Sequence, residues 1–131
     1  MKSVFRRWRK ACRVEENRLE AGEINVHVVP ASNVLTVAVA GCSTVDSSPH
    51  LRSVLLGLLR QCTSSVVVID LSALSYLDIS GIATLLEALK TASERSVKLR
   101  LAGMSGQVRR LAEIAQLDTI YLAWGSEVEF R

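Results

Sequence analysis

The sequence predicts an α/β fold built on a mixed β-sheet with crossover helices. Three observations carry this. β-branched segments of strand length alternate with segments whose apolar residues recur at helical spacing, which implies mainly parallel strands joined by helices. The first two strand-like segments are too close in sequence for a crossover, so they pair as an antiparallel hairpin and make the sheet mixed. The chain has 131 residues, enough for one core and too few for two ordinary domains.

Each element has its own signal. Ile24 to Val29 alternates as Ile-Asn-Val-His-Val-Val, the pattern of a half-buried strand. Pro30, Ser32 and Asn33 supply a turn, and Val34 to Ala40 is a second strand ended by Gly41. Asp46, Ser47, Ser48 and Pro49 mark a helix start, and Leu51, Val54, Leu55 and Leu58 form its apolar stripe. The polar stretch Gln61 to Ser65 ends it. Val66 to Leu71 is a continuous apolar run broken only by Asp70, which suggests a central strand covered on both faces. Ser80-Gly81 opens a second helix with the stripe Ile82, Leu85, Leu86 and Leu89. Lys98 to Ala102 alternates as a strand with Leu99 and Leu101 on one face, and Gly103 to Gly106 reads as a loop. Val108, Leu111, Ala112 and Ala115 make a third helix ending near Asp118, and Thr119 to Ala123 reads as the last strand. The expected order is β-β-α-β-α-β-α-β.

Composition narrows the class. Apolar residues make up 49% and charged residues 22% of the chain, a globular balance. No apolar run approaches the roughly 20 residues of a membrane-spanning helix. Collagen-like, coiled-coil and disulfide-scaffold classes are excluded on composition. The three cysteines, Cys12, Cys42 and Cys62, are widely spaced and odd in number, so they are read as reduced thiols in a cytoplasmic protein. His27 and His50 lack metal-ligand spacing. No metal and no cofactor are expected.

The charge is concentrated at one end. Residues 1–23 hold seven basic and four acidic side chains, a net +3, whereas the remainder holds nine of each. A boundary near Glu20–Glu23 therefore separates a basic arm, residues 1–23, from a domain over residues 24–131. The arm has no apolar core of its own, so a secretory signal is not expected. Val4, Phe5, Trp8 and Cys12 fall at offsets compatible with one helical face, with Arg6, Arg7, Arg9, Lys10 and Arg13 around them. Such an arm suits a solvated or domain-packed extension, a weak contact with an anionic membrane surface, or non-specific contact with nucleic acid. No specific nucleic-acid site is expected.

No catalytic constellation appears. The chain has no nucleophile elbow, no Gly-rich phosphate loop and no Gly-x-Gly-x-x-Gly. The most informative stretch is Asp70-Leu-Ser-Ala-Leu-Ser-Tyr-Leu-Asp-Ile-Ser-Gly81, read as a buried strand running through a polar loop into a helix start. Parallel sheets carry functional loops at the C-terminal ends of their strands. Asp78 and Ser80 stand where they cap the helix or serve such a loop.

The run from Val66 to Leu86, containing Asp78-Ile79-Ser80-Gly81, resembles the STAS domain, the family of bacterial anti-sigma factor antagonists and of the cytosolic tails of sulfate transporters. The resemblance covers roughly residues 24–123. It implies a non-catalytic, protein-binding regulator of transcription. Its partner would be an anti-sigma factor that is also a serine kinase, held through Tyr76, Leu77, Asp78, Ile79, Ser80, Gly81, Ile82 and Thr84. In the family the kinase phosphorylates the serine directly after the motif aspartate, and the added charge breaks the interface. Here that position is Ile79, which has no hydroxyl. Ser80 matches the second hydroxyl position, as a cap or as an alternative phosphorylation site. A second role implied by resemblance is a cytosolic subunit regulating a phospholipid-transport ABC ATPase at the membrane.

Overall fold

The computed structural model describes residues 24–130. The basic arm and the helical-face reading of Val4, Phe5, Trp8 and Cys12 lie outside the described residues. Five strands form one sheet in the order β1-β2-β3-β4-β5. They are β1 (Ile24–Ala31), β2 (Val34–Ser43), β3 (Val66–Leu77), β4 (Lys98–Met104) and β5 (Glu127–Phe130). The helices are α1 (Ser48–Gln61), α2 (Ile79–Glu94), α3 (Gly106–Ile114) and α4 (Leu117–Ala123). β1 is antiparallel to β2, and every other neighbouring pair is parallel. The mixed sheet with an initial hairpin is thus as expected.

The hairpin closes on the Ala31–Val34 pair, leaving Ser32 and Asn33 as its turn. Asn33 Nδ2 donates to Ser65 Oγ at 2.7 Å, which ties the hairpin tip to the start of β3. Pro30 is tolerated inside β1 because β1 is an edge strand.

The strands bury one face. Ile24, Val26 and Val28, then Leu35, Val37 and Val39, then Val67, Ile69 and Leu71, then Leu99 and Leu101 point into a single core. The helices complete it with Leu51, Leu55, Leu58, Leu85, Leu89, Val108, Ala112 and Leu117. Each Val, Leu or Ile among them contributes about 1.5–3 kcal/mol on burial. The opposite face carries Thr36, Ala38, Val66, Val68 and Asp70, all only half-buried. It also carries Arg100, which pairs with Glu127 at 3.3 Å and with Glu129. Among the described residues, β3 is therefore not covered on both faces. Its valines on the open side come from β propensity rather than from a second helical layer.

Two further readings are corrected. β3 does not stop at Leu71 but continues to Leu77, so most of the expected polar loop is strand. Thr119 to Ala123 lies within a helix, α4, and the last strand is Glu127–Phe130. Leu117 and Tyr121 are the buried residues of α4. Their four-residue spacing is helical, and it overrides the strand propensity of Thr119, Ile120 and Tyr121. No helix among the described residues is long and apolar enough to cross a membrane.

Tyr121 locks α4 to α2. Its hydroxyl donates to Leu85 O at 2.6 Å within the core, and burial pushes its phenol far above the ordinary tyrosine pKa. Tyr121→Phe is expected to cost about 1 kcal/mol in urea unfolding. Because the folded state holds this proton more tightly than the unfolded chain, its contribution is full below the ordinary tyrosine pKa of roughly 10 and falls as pH rises beyond it. A wild-type stability curve that stays flat above that pH would contradict this assignment.

Candidate functional site

The C-terminal ends of the parallel strands β2 and β3 meet at one corner, and the β3–α2 junction sits there. β3 pairs with β4 only from Val66 to Asp70, whereas its pairing with β2 runs on to Leu77. The ladder with β2 shifts register between Ala38 and Ala40 and again between Gly41 and Cys42. Gly41 has φ of 102°, a conformation open to glycine without strain. The extra residues lie in β3, so these bulges bend that strand and raise its local twist.

The free edge of this extension is closed by a side chain. Gln107 Oε1 accepts from Leu77 N–H at 2.9 Å, and Gln107 Nε2 donates to Leu77 O at 2.6 Å. The amide thus stands in for a neighbouring strand and fastens α3 to the β3–α2 junction. Sequence reading missed Gln107, since a glutamine in the first turn of a helix carries no signal of a long-range backbone partner.

Asp78 caps α2. Its Oδ1 accepts from Gly81 N–H at 3.1 Å and from the Ser80 hydroxyl at 2.5 Å. Its own N–H donates to Ser43 O at 3.0 Å, which continues the β2 pairing by one residue. Burial pushes the Asp78 carboxyl up. Hydrogen bonds from the Ser80 hydroxyl and from the N–H groups of Gly81, Ser80 and Val45 outweigh this and hold it below the ordinary carboxylate value. The Val45 contact joins the loop after β2 to the cap. That loop is itself pinned, because Ser47 Oγ donates to Cys42 O at 2.7 Å and accepts from Thr44 N–H at 2.9 Å.

The eight residues expected at the site divide into two groups. Leu77, Gly81, Ile82 and Thr84 are buried. Thr84 Oγ1 donates to Ser80 O at 3.1 Å, so its hydroxyl serves the helix. A Cβ on Gly81 would stand 2.3 Å from Leu77 Cδ1 and 2.6 Å from Ser43 Oγ, so only glycine lets α2 start this close to the strands. Tyr76 and Ile79 face outward, with exposures of 44% and 70%, while Asp78 and Ser80 are half-buried. Val45, 69% exposed, adds a third apolar surface residue that sequence reading did not assign to the site. Beside Ser80 a cleft of about 340 Å³ runs between α1 and α2. Arg52 and Glu87 line it and pair in a bidentate contact, with Arg52 Nη2 to Glu87 Oε1 at 3.0 Å. The guanidinium holds the Glu87 carboxyl below its ordinary value. Among the described residues no cluster of three His, Cys, Asp or Glu side chains is arranged to hold a metal ion.

The corner is therefore a rigid platform that displays apolar side chains, and two variants test its parts. Asp78→Ala is expected to lower unfolding free energy by about 1 kcal/mol through loss of the cap, while Asp78→Asn retains most of it. The Asp78 contribution is present above the ordinary carboxylate pKa and fades as pH falls through its lowered folded value. Gln107→Ala is expected to speed hydrogen exchange at Leu77 and Asp78 selectively, leaving Ile69 and Leu101 protected as before. Uniform acceleration across the sheet would show that Gln107 acts on global stability instead.

Comparison with known proteins agrees with this architecture. The sequence profile of the STAS domain matches residues 25–128. The anti-sigma-B factor antagonist of Staphylococcus epidermidis is 29% identical over 107 residues, covering 81% of this chain and 98% of that protein. The Staphylococcus aureus antagonist matches equally, at 29% identity over the same shares of both chains. Among solved structures, an anti-sigma factor antagonist from Mycobacterium paratuberculosis superimposes with a TM-score of 0.67 at 22% identity, over 74% of this chain and 81% of that one. The murine Solute Carrier 26 family member A9 anion transporter shares the fold at a TM-score of 0.66 and 14% identity, over 90% of this chain and 22% of the transporter. The chain belongs to the STAS domain family.

Proposed function

We propose that this chain is a non-catalytic docking module that acts as an anti-sigma factor antagonist. Its partner is an anti-sigma factor of the serine-kinase type, bound at the corner around Asp78. The similarity to the staphylococcal antagonists over nearly their whole length supports the sigma-regulatory role. One observation carries the location. Ile79, at 70% exposure, follows a cap residue whose backbone and side chain are both fixed. An isoleucine held outward at a helix start is unfavourable in water and gains on burial against a partner. Val45 and Tyr76 extend the same apolar surface, and the buried residues Leu77, Gly81, Ile82 and Thr84 hold it in place.

In this reading the docking surface has no phosphate switch at its centre. Ile79 occupies the place of the family's acceptor serine and offers no hydroxyl. Ser80 is a poor substitute. Its hydroxyl donates to the Asp78 carboxylate, and a phosphate there would set nearly two negative charges beside an ionised group while removing a donor from the cap. Binding is then governed by how much antagonist is present rather than by its modification.

The test begins with tagged protein purified from its native cells, followed by identification of the retained protein and rebinding of the purified pair. A kinase-type anti-sigma factor is expected, with an intact mass for this chain that carries no phosphate. Ile79→Lys is expected to weaken binding at least tenfold, about 1.4 kcal/mol, without changing Tm. Wild-type affinity in that variant would show that the docking surface lies elsewhere. Recovery of an ABC ATPase or a permease would transfer the role to membrane transport.

A further inference from the structure

The two long helices run in parallel. Arg52 of α1 pairs with Glu87 of α2, and further along both helices Arg95 Nη2 donates to Arg60 O. Both helices therefore begin at the same end of the sheet, beside the docking corner. The cleft of about 340 Å³ lies between their first turns. α1 presents Ser48 and Arg52 to it, a pair at i and i+4 on one helical face. α2 presents Ser80, Thr84 and Glu87, and Ala83 adds no more than a methyl group to that wall. Ser80 directly follows Ile79, so the cleft continues the exposed apolar spot.

Most donors of the cleft are already engaged. Ser80 Oγ donates to Asp78 Oδ1, and Thr84 Oγ1 donates to Ser80 O. Arg52 uses Nε and Nη2 on the two oxygens of Glu87. Among the described residues two side-chain donors of the cleft remain, Arg52 Nη1 and the Ser48 hydroxyl. Ser48 is 6% exposed, and its N–H donates to Thr44 O at 2.8 Å. A buried hydroxyl without a partner is unfavourable and calls for one. The N-cap residue Ser47 makes no side-chain cap and the first turn of α1 holds no acidic residue, so the positive end of that helix is left open to an anion. The charges agree. The Arg52 hydrogen bond holds the Glu87 carboxyl below its ordinary value, and the charges of Arg52, Lys90 and Arg60 act in the same direction. Three cations about one carboxylate leave this wall net positive. The Asp78 carboxylate lies behind the Ser80 hydroxyl and is taken up by the α2 cap.

We propose that the cleft takes an aspartate or glutamate side chain of the protein that docks at Ile79, its carboxylate accepting from Arg52 Nη1 and from the Ser48 hydroxyl. The inference rests on the docking reading above. A lysine or arginine in that place would meet the same cations and leave both donors unpaired. An apolar side chain would take them out of water without a partner. The corner then has two contacts of unlike chemistry, an apolar one at Ile79 and an ionic one beside Ser80. Together they fix the register of the partner, which a non-directional apolar contact does not.

The experiment uses the full-length chain and the anti-sigma factor retained with it from native cells. Arg52→Gln is expected to weaken binding about tenfold and Ser48→Ala about threefold, both mainly through faster dissociation. Because the Ser48 hydroxyl is unpaired in the free protein, Ser48→Ala is expected to leave Tm unchanged. A lowered Tm would show that the hydroxyl already has a partner, and would overturn the assignment. The exchange Arg52→Glu with Glu87→Arg keeps an ion pair between the helices but moves the guanidinium away from Ser48. It is expected to bind no better than Arg52→Gln, and wild-type affinity in it would show that Arg52 serves only to tie α1 to α2. On the partner, each surface Asp or Glu is converted in turn to Lys. One such change is expected to restore binding to Arg52→Glu, and the lack of any restoring position would overturn the inference. Ile79→Lys is measured beside these. If it weakens binding and the cleft variants do not, the cleft is not a contact and the docking reading survives alone. If Ile79→Lys has no effect, the docking reading falls and takes this inference with it.

Discussion

The corner depends on the unequal pairing of β3. Its first five residues are held on both sides, by β2 and β4, and the remainder by β2 alone. A strand that outruns one neighbour has backbone groups to satisfy on that side. Gln107 meets those of Leu77 with a single side-chain amide. The extension carries the chain past the sheet before α2 begins, so Asp78 and Ile79 stand at the rim rather than over the core. Asp78 N–H then makes the last bond of the β2 ladder, and its carboxylate caps α2. One residue thereby ends a strand and starts a helix, which leaves the next residue little freedom in where it points.

The same arrangement explains why some motif residues are constrained and others are not. Gly81 is set by space, because α2 starts against Leu77 and Ser43. Asp78 is set by donors, because the N–H groups of Val45, Ser80 and Gly81 converge on it with the Ser80 hydroxyl. Ile79 faces solvent and makes neither kind of demand. The scaffold therefore tolerates a change of side chain at that position without rebuilding the loop, and the chemistry of the exposed corner can change there independently of the fold.

Much of this was legible in the sequence. The alternation in Ile24–Val29 and Val34–Ala40 and the stripes Leu51–Leu58 and Ile82–Leu89 led directly to the hairpin and the two long helices. The end of β3 was not legible. Its buried residues Leu71, Leu74 and Leu77 are three apart, because the bulged pairing with β2 breaks the two-residue alternation. Without alternation, and with Ser72 and Ser75 between the apolar residues, the stretch reads as loop. α4 was misread for the complementary reason: seven residues are too few to establish a helical period, and their composition favours a strand. Local spacing offered Asp78 and Ser80 alike as caps, and Gly81 entered the site only through the resemblance to the STAS motif. The contribution of Val45 and Gln107 was not legible, because each reaches the site through a contact with no local signature.

The direction of β1 has a consequence that local patterning does not reveal. Had the first strand joined the sheet in parallel, a basic extension would begin at the far end, beside the Ser65 and Ser96 turns. Antiparallel entry places the first described residue, Ile24, at the strand ends where the loops gather. Ile24 pairs with Gly41 there, so the entry to β1 and the exposed side chains of Tyr76 and Ile79 share one end of the sheet. An apolar patch with few charges discriminates weakly among partners, since hydrophobic contact is non-directional. A rigid frame compensates, because side chains fixed in position by the Asp78 cap and the Gln107 bridge add defined shape to a surface whose chemistry is non-directional.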